Sequence, residues 1–359
     1  MDTPRVGGLF CLEDTGEQGP IGDGDFFDRL GGGDRRLCLS GRCAMYYCLL
    51  DLKQRDDKGV AYLPAYTCET VIAPYKKAGY SLLFYDVSPE GLCPQFNRDL
   101  IPRISVLGLC GYYGFSVYDR SFVEACAAAG VAVIHDVTHS VFSGDGIEPR
   151  ADYTAGSLRK WIGIPSGGFA IKRRGTFSLP LLPPEEEHIR GRLACFAEQA
   201  RVLRQEGSED RVNEIFWDTE LRLRRIFDAY DSDGRSADII TCYPFRELYA
   251  RRRENYAFVL SQNPFGSRTI PVFPQLDEGV CPSHLALYSK DRDAAREILK
   301  SRGVTSTVYW PFHEEVDLGD FPGARYIYDH IYSVPVDQRY RAEEMELLCR
   351  ALGEIAKVL

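Results

Sequence analysis

The sequence predicts an α/β protein: a mostly parallel sheet covered by helices, followed by a smaller C-terminal α/β domain. Three observations carry that reading. From residue 40 to about 175, short apolar runs alternate with segments of helical spacing. The runs are nearly continuous in apolar residues, as strands buried on both faces must be. Gly79 and Gly130 stand just ahead of two of these runs, where helix C-caps favour glycine.

In chain order, residues 44–52 read as a helix, 60–63 as a strand, 68–78 as a helix and 82–85 as a strand. Residues 104–109 read as a strand, 121–129 as a helix, 131–135 as a strand and 152–155 as another. Residues 183–230 differ in texture, being rich in Glu and Arg with apolar positions at helical spacing. Pro183 and Pro184 mark the entry, and the acids after them suit a helix N-terminus. Residues 231–235 read as a loop and 236–259 as one long helix. After Asn263 and Pro264 come short strands and two helices, ending with Ala342–Val358. A length of 359 residues suggests roughly two domains, divided here into 1–245, with 1–35 a peripheral segment, and 246–359.

Composition narrows the function. Hydrophobic residues at 45% and charged residues at 26% are the balance of an ordinary globular protein, which excludes disorder and coiled coil as the main architecture. A net charge of -9 argues against a nucleic-acid groove or a polybasic membrane patch. The longest nearly apolar stretch, around residues 125–134, falls far short of the ~20 residues of a membrane span. The opening MDTPRVGGLFCLEDTGEQ carries acids and glycines where a signal peptide has a basic and then an apolar run, so a cytoplasmic protein is expected. The 12 cysteines form no C-x-x-C pair; Cys38, Cys43 and Cys48 recur every five residues, a spacing that fits neither a zinc knuckle nor an iron–sulfur run. They read as reduced, mostly buried small hydrophobes, and no metal is expected.

The chemistry should lie in VAVIHDVTHSVFSGDGIEPRADYTAGSLRKWIGIPSGGFAI, residues 131–171. An apolar strand delivers Asp136 at its C-terminal end, where ligands gather in open parallel sheets, and His139 follows in the loop. A second strand leads to Ser157 and Lys160, ahead of a glycine-rich turn from Gly163 to Gly168. Lys53, Lys58, Lys76, Lys77 and Lys172 sit in charged clusters or polar helix ends, whereas Lys160 lies between Leu158, Trp161 and Ile162. A lysine with desolvating neighbours is a candidate Schiff-base nucleophile. A strand-end carboxylate can hold the proton on a pyridine nitrogen, although a helix N-cap would also explain Asp136. Upstream, Ser40 and Gly41 open a helix whose free amides make an anion site.

These segments resemble the fold-type I pyridoxal-phosphate enzymes, specifically the DegT/StrS family of sugar aminotransferases. The matching stretches run in order: SGRCA, YLPAYTCETVIAPYKKAGYSLLFYDV, VIHDVTHS, GSLRKWIGIPSGGFAI, then GVTSTVYWPFH and SVPVDQRYRAEEM, together spanning roughly residues 36–357. The resemblance implies a large domain with a mostly parallel, seven-stranded type of sheet, a small C-terminal α/β domain and pyridoxal 5'-phosphate as cofactor. It implies Lys160 as the lysine bonded to the cofactor, Asp136 at the pyridine nitrogen and His139 near the ring hydroxyl. Gly41, Arg42 and Cys43 would hold the phosphate through backbone amides, and Ser157 through its hydroxyl. Arg42 stands where the family commonly has a small hydroxyl residue, so its guanidinium could add a contact. Cys68 stands where many members place an aromatic ring over the cofactor, leaving Tyr66 or the Cys68 thiol to cover it. The loop at 231–235 lacks the asparagine with which the family usually reaches the partner subunit's phosphate.

The implied activity is ping-pong transfer of an amino group from an amino acid such as glutamate to a nucleotide-linked keto sugar, in a homodimer whose contacts suit the helices between Glu185 and Tyr230. A retained lysine disfavours the family's dehydratase branch. Other fold-type I reactions, such as decarboxylation or Cα–carbon bond chemistry, remain open, as does a non-catalytic ligand sensor.

Overall fold

The computed structural model describes residues 5–14 and 26–358. The first half of the chain alternates β1 (Asp34–Cys38), α1 (Gly41–Lys53), β2 (Val60–Pro64), α2 (Glu69–Lys77), β3 (Ser81–Val87), β4 (Pro94–Gln95) and β5 (Val106–Cys110). It continues with α3 (Arg120–Ala128), β6 (Ala132–Asp136), β7 (Tyr153–Ser157) and β8 (Gly168–Lys172). These strands form one sheet in the order β1-β8-β7-β6-β5-β2-β3-β4. The middle five, β7, β6, β5, β2 and β3, are parallel, and β8 runs against both β1 and β7. The sheet has eight strands rather than the seven expected; the addition is two-residue β4, whose proline is tolerated at an edge. Gly79 and Gly130 end α2 and α3 with φ of 80° and 77°, as their spacing predicts.

Beyond the sheet, α4 (Glu186–Leu203) and α5 (Glu209–Ile226) form an antiparallel hairpin. The chain then enters α6 (Gly234–Cys242) and α7 (Phe245–Gln262), where the sequence reading has one helix over 236–259. Pro244 is the reason: it has no amide hydrogen to donate and drives Tyr243 to a ψ of 134°. The C-terminal part holds β9 (Thr269–Pro271), β10 (Leu285–Ser289), α8 (Arg292–Ser301), α9 (Pro322–His330), β11 (Ile331–Val334) and α10 (Ala342–Val358). Its three strands form a separate antiparallel sheet in the order β11-β10-β9.

The described part of the segment over residues 1–35 packs against later parts of the chain. Val6 is buried and bridges to Val304, the Leu9 carbonyl accepts hydrogen bonds from Gln199 and Arg339, and Phe26 and Leu30 join the core around Phe169 and Phe245. Apolar side chains draw this stretch inward, while residues 1–4 and 15–25 lie outside the described residues. No described helix is long and apolar enough to cross a membrane, and all 12 cysteines are free thiols.

Candidate active site

Topology gathers the site. Because β8 runs against both β1 and β7, the chain leaves β1 and β7 at the same edge, with Cys38, Gly168 and Ser157 in one row across the sheet. The parallel strands β2, β5 and β6 end at that edge too. Five segments therefore meet there: the start of α1, residues 66–68 after β2, 111–113 after β5, 136–139 after β6 and 157–160 after β7.

At the first, Ser40 caps α1 by accepting the Cys43 amide at 3.2 Å, while its carbonyl accepts the Ala44 amide at 2.9 Å. The amides of Gly41 and Arg42 are left open, as first-turn amides are. The Cys43 amide, also expected to face a phosphate, is committed to Ser40. Close approach requires glycine at position 168, where a Cβ would come within 2.0 Å of the Ser40 carbonyl oxygen, and favours it at position 41, where a Cβ would come within 3.1 Å of the Ser157 Cβ. The turn is thus pressed against Ser157, which is buried and bonds to nothing as a cap. The Arg42 side chain turns aside. Its guanidinium meets Glu69 at 2.6 Å and lies 5.2 Å from the centre of the Phe227 ring.

Asp136 ends β6, and its carboxylate accepts the Thr138 amide at 2.9 Å. Burial raises its pKa, and the Thr138 hydrogen bonds oppose the rise. His139 is buried among aromatic rings, 5.1 Å from Tyr309 and 5.5 Å from Trp310 between centroids, with Nδ1 unpartnered among the described residues. Burial drives its pKa well down, helped by the charges of His284, Lys160 and Arg252, so the ring is neutral. Tyr66 is buried as well, stacked on Tyr112 at 5.4 Å and packed against Trp310 and Tyr328. Its hydroxyl is shared between Tyr113 and the Tyr309 carbonyl. Cys68 caps α2, and burial raises its thiol pKa, which its hydrogen bonds to Thr70 and the charge of Lys160 pull back. Of these two, it is Cys68 that shares a field with Lys160.

Lys160 closes a single 3-10 turn, Leu158–Lys160, directly after β7. Trp161 anchors the turn: its indole donates to the Thr138 carbonyl at 2.7 Å, tying the Lys160 loop to the Asp136 loop. Arg252, fully buried on α7, lies 4.5 Å from the Trp161 ring and donates to the Ser283 carbonyl and Gln338 at 2.8 Å each. Gln338 in turn donates to the Trp161 carbonyl at 2.7 Å. The lysine itself keeps accessible surface although protein packs around it. It makes no ion pair or hydrogen bond with any described residue, and its amine lies 6.0 Å from the centre of the Tyr309 ring. Surrounding protein lowers its pKa, Glu220 raises it, and Arg159 lowers it.

No protein-family model matches the sequence, and no curated protein sequence matches it. Solved structures do. The sugar aminotransferase CalS13 from Micromonospora echinospora is 16% identical, with 98% of this chain and 100% of that one covered at a TM-score of 0.64. PseC of Helicobacter pylori, an aminotransferase involved in the biosynthesis of pseudoaminic acid, is 10% identical over 99% and 100% of the two chains, with a TM-score of 0.70. DesV of S. venezuelae, in complex with a ketimine intermediate, is 16% identical over 98% and 92%, with a TM-score of 0.67. The fold is that of the sugar aminotransferases. At such identities the likeness establishes the fold expected from the sequence, and the chemistry rests on the residues above.

Sequence reasoning missed several residues of this cleft. Tyr309 and His284 arrive from the C-terminal part, Arg252 from α7, and Glu220 and Arg192 from the hairpin. Arg159, next to Lys160, was the one whose position could have flagged it.

Proposed function

We propose that the chain is a pyridoxal-phosphate-dependent aminotransferase that moves an amino group from an amino acid donor, glutamate in the simplest case, to a keto sugar carried on a nucleotide. The carrying observation is that an unpaired Lys160 follows β7 at the same sheet edge as Asp136 and the start of α1, with its turn tied to the Asp136 loop through Trp161. The residues fit the cofactor. The Gly41 and Arg42 amides and the Ser157 hydroxyl would hold its phosphate, Asp136 its ring nitrogen and Lys160 its aldehyde carbon. The orphaned His139 Nδ1 supplies a buried polar atom that a ring substituent could satisfy.

Bound pyridoxal phosphate supplies an electron sink for the pair left when a Cα–H bond breaks. Asp136, ionised beside a pyridinium, keeps the ring proton in place. The Lys160 amine, its pKa lowered by burial, takes the Cα proton of the donor and later returns a proton to the acceptor carbon. Tyr66, Tyr113, Tyr309 and Trp310 wall the cleft with apolar surface and exclude water.

The same reading makes the protein a homodimer. Trp217 and Leu221, one turn apart on α5, are 53% and 47% exposed and offer an apolar stripe to a second copy. It also makes the protein cytoplasmic, in keeping with its free thiols, and divides the chain near residue 246, where α7 crosses from one part to the other. With pyridoxal phosphate added, purified protein should gain a visible to near-ultraviolet band that borohydride bleaches, leaving the added mass on Lys160. A protein that stays colourless sinks the reading. A band that no amino donor converts points to a ligand sensor, and release of carbon dioxide points to a decarboxylase.

A further inference from the structure

The hairpin brings a second charged group to the cleft. Glu220 on α5 is ion-paired to Arg159, and Arg192 on α4 stands 3.7 Å from the same carboxylate. The Arg159, Arg192 and Glu220 side chains are only 11%, 7% and 26% exposed. With Lys160 acting on Glu220 as well, three cations face one carboxylate. Excess buried positive charge is costly unless an anion completes it. Donors are left over too: Arg159 Nε and Arg192 Nε and Nη1 are buried without a hydrogen-bond partner. Arg192 is held in place between Phe196 and Phe216, at 5.4 and 5.0 Å from their ring centres, so its fork is oriented in advance. Arg42 is more fully engaged than Arg192: Glu69 takes two of its nitrogens and Nε alone is buried without a partner. The neighbouring His188 adds no charge; burial and then the charge of Arg159 hold its pKa down to about 4.

We propose that Arg159 and Arg192, braced by Glu220, form an oxyanion subsite beside Lys160 that takes the carboxylate of the amino donor. This rests on the aminotransferase reading and specifies its donor side. A planar carboxylate suits paired guanidinium forks. The donor's carboxylate is bonded to the carbon that bears the reacting nitrogen, so it must bind close to Lys160, and Arg159 is the residue before that lysine. A nucleotide phosphate is held off by the sugar ring between it and the keto carbon. Electrostatics agree: burial first and then the charge of Arg159 bring the Arg192 pKa down to about 10, the response of a cation short of counter-charge.

The test is calorimetric titration of glutarate, an unreactive dicarboxylate, and separately of inorganic phosphate, into the chain saturated with pyridoxal phosphate. Glutarate should bind, Arg192→Gln should weaken it at least tenfold, and Arg159→Gln likewise. Glu220→Gln should tighten it several-fold, because the competing carboxylate is neutralised; a purely structural role for Glu220 predicts no such gain. Arg192→Lys, which keeps the charge, should fall between wild type and Arg192→Gln even where the glutamine variant folds poorly. Three results overturn the proposal: glutarate fails to bind wild type, its affinity ignores all the variants, or Arg192→Gln weakens phosphate or cofactor binding while sparing glutarate. The aminotransferase reading fails separately, by the absence of a Lys160-dependent spectral band, and Arg192-dependent glutarate binding could survive that failure.

Discussion

The sheet edge and the α4–α5 hairpin furnish the same cleft by different means. At the edge, each polar residue is placed by the strand immediately before it, so Asp136 and Lys160 are fixed by the register of β6 and β7. On the hairpin, Arg192 and Glu220 are placed by how two amphipathic helices pack on each other and against Arg159. The edge is also pinned. Asp51 near the end of α1 accepts from Tyr153 at 2.6 Å and from the Ser178 amide and hydroxyl at 2.8 and 2.7 Å, and pairs with Lys172 at 2.7 Å, tying α1 to β7 and β8. Most of the hairpin's own ion pairs, such as Arg190–Glu186 and Arg211–Glu214, are exposed and individually weak. The difference teaches that the edge fixes its polar residues through strand register, whereas the hairpin supplies charge through helix packing.

The sharpest break of that comparison is Lys160→Ala. It should lower amino transfer by on the order of 10³-fold or more and leave the unfolding temperature unchanged or raised, since the amine has no protein partner. Single-turnover conversion of the cofactor spectrum with glutamate measures it, and activity surviving in the variant would move the chemistry elsewhere.

Next in size, Asp51→Asn should cost about 3 kcal/mol at neutral pH by breaking a buried, fully hydrogen-bonded charge. Burial alone would raise the Asp51 pKa, but its hydrogen bonds with Lys172, Ser178 and Tyr153 bring it down to about 2 from the ordinary 3.8. The contribution is therefore complete above about pH 4 and is lost as pH falls through about 2. Urea unfolding of wild type and variant should converge across that window; a gap that persists at pH 2 would mean the loss is packing rather than charge.

Gly168→Ala tests the α1 cradle. Its Cβ would collide with backbone at Ser40 and Gly41, which cannot swing aside as a side chain can. A loss of about 1–3 kcal/mol is expected, together with faster release of pyridoxal phosphate on dilution. On the hairpin, by contrast, Trp217→Ala and Leu221→Ala should change monomer stability by under about 0.5 kcal/mol. Their effect should show instead as dimer dissociation in sedimentation at micromolar concentration, and an unchanged dimer would place the interface elsewhere.

This contrast also explains what was legible in the sequence. Apolar runs interrupted by glycine marked the sheet because burial on both faces leaves a continuous signal, and the strand-end positions of Asp136 and Lys160 came with it. Pro244 broke a helix whose apolar spacing ran on without interruption, so periodicity alone read through it. Glu220 could not be singled out, for it is one acid among many on an Arg- and Glu-rich helix, and only tertiary packing brings it near Lys160. Arg42 was visible, but its partner Glu69 was not, because side-chain pairing across two helix N-termini leaves no pattern in either. The contacts of the N-terminal stretch are hidden for the same reason: Val6 and Phe26 are buried by segments far along the chain.

The smallest expected effect lies where edge and hairpin touch. Protein packed around Lys160 lowers its pKa, and the carboxylate of Glu220 pulls the other way, favouring the ammonium form. Neutralising that carboxylate in Glu220→Gln removes the largest raising influence, while Arg159 and Arg192 continue to disfavour the charge. The midpoint of cofactor bonding against pH, followed by absorbance, should therefore shift to lower pH in the variant. Arg192→Gln should move it the opposite way, since a like charge is lost. Because Lys160 keeps accessible surface, added salt should shrink both shifts. Equal midpoints in all three proteins at low salt would show that the hairpin's charges do not reach the lysine, leaving the sheet edge to set its chemistry alone.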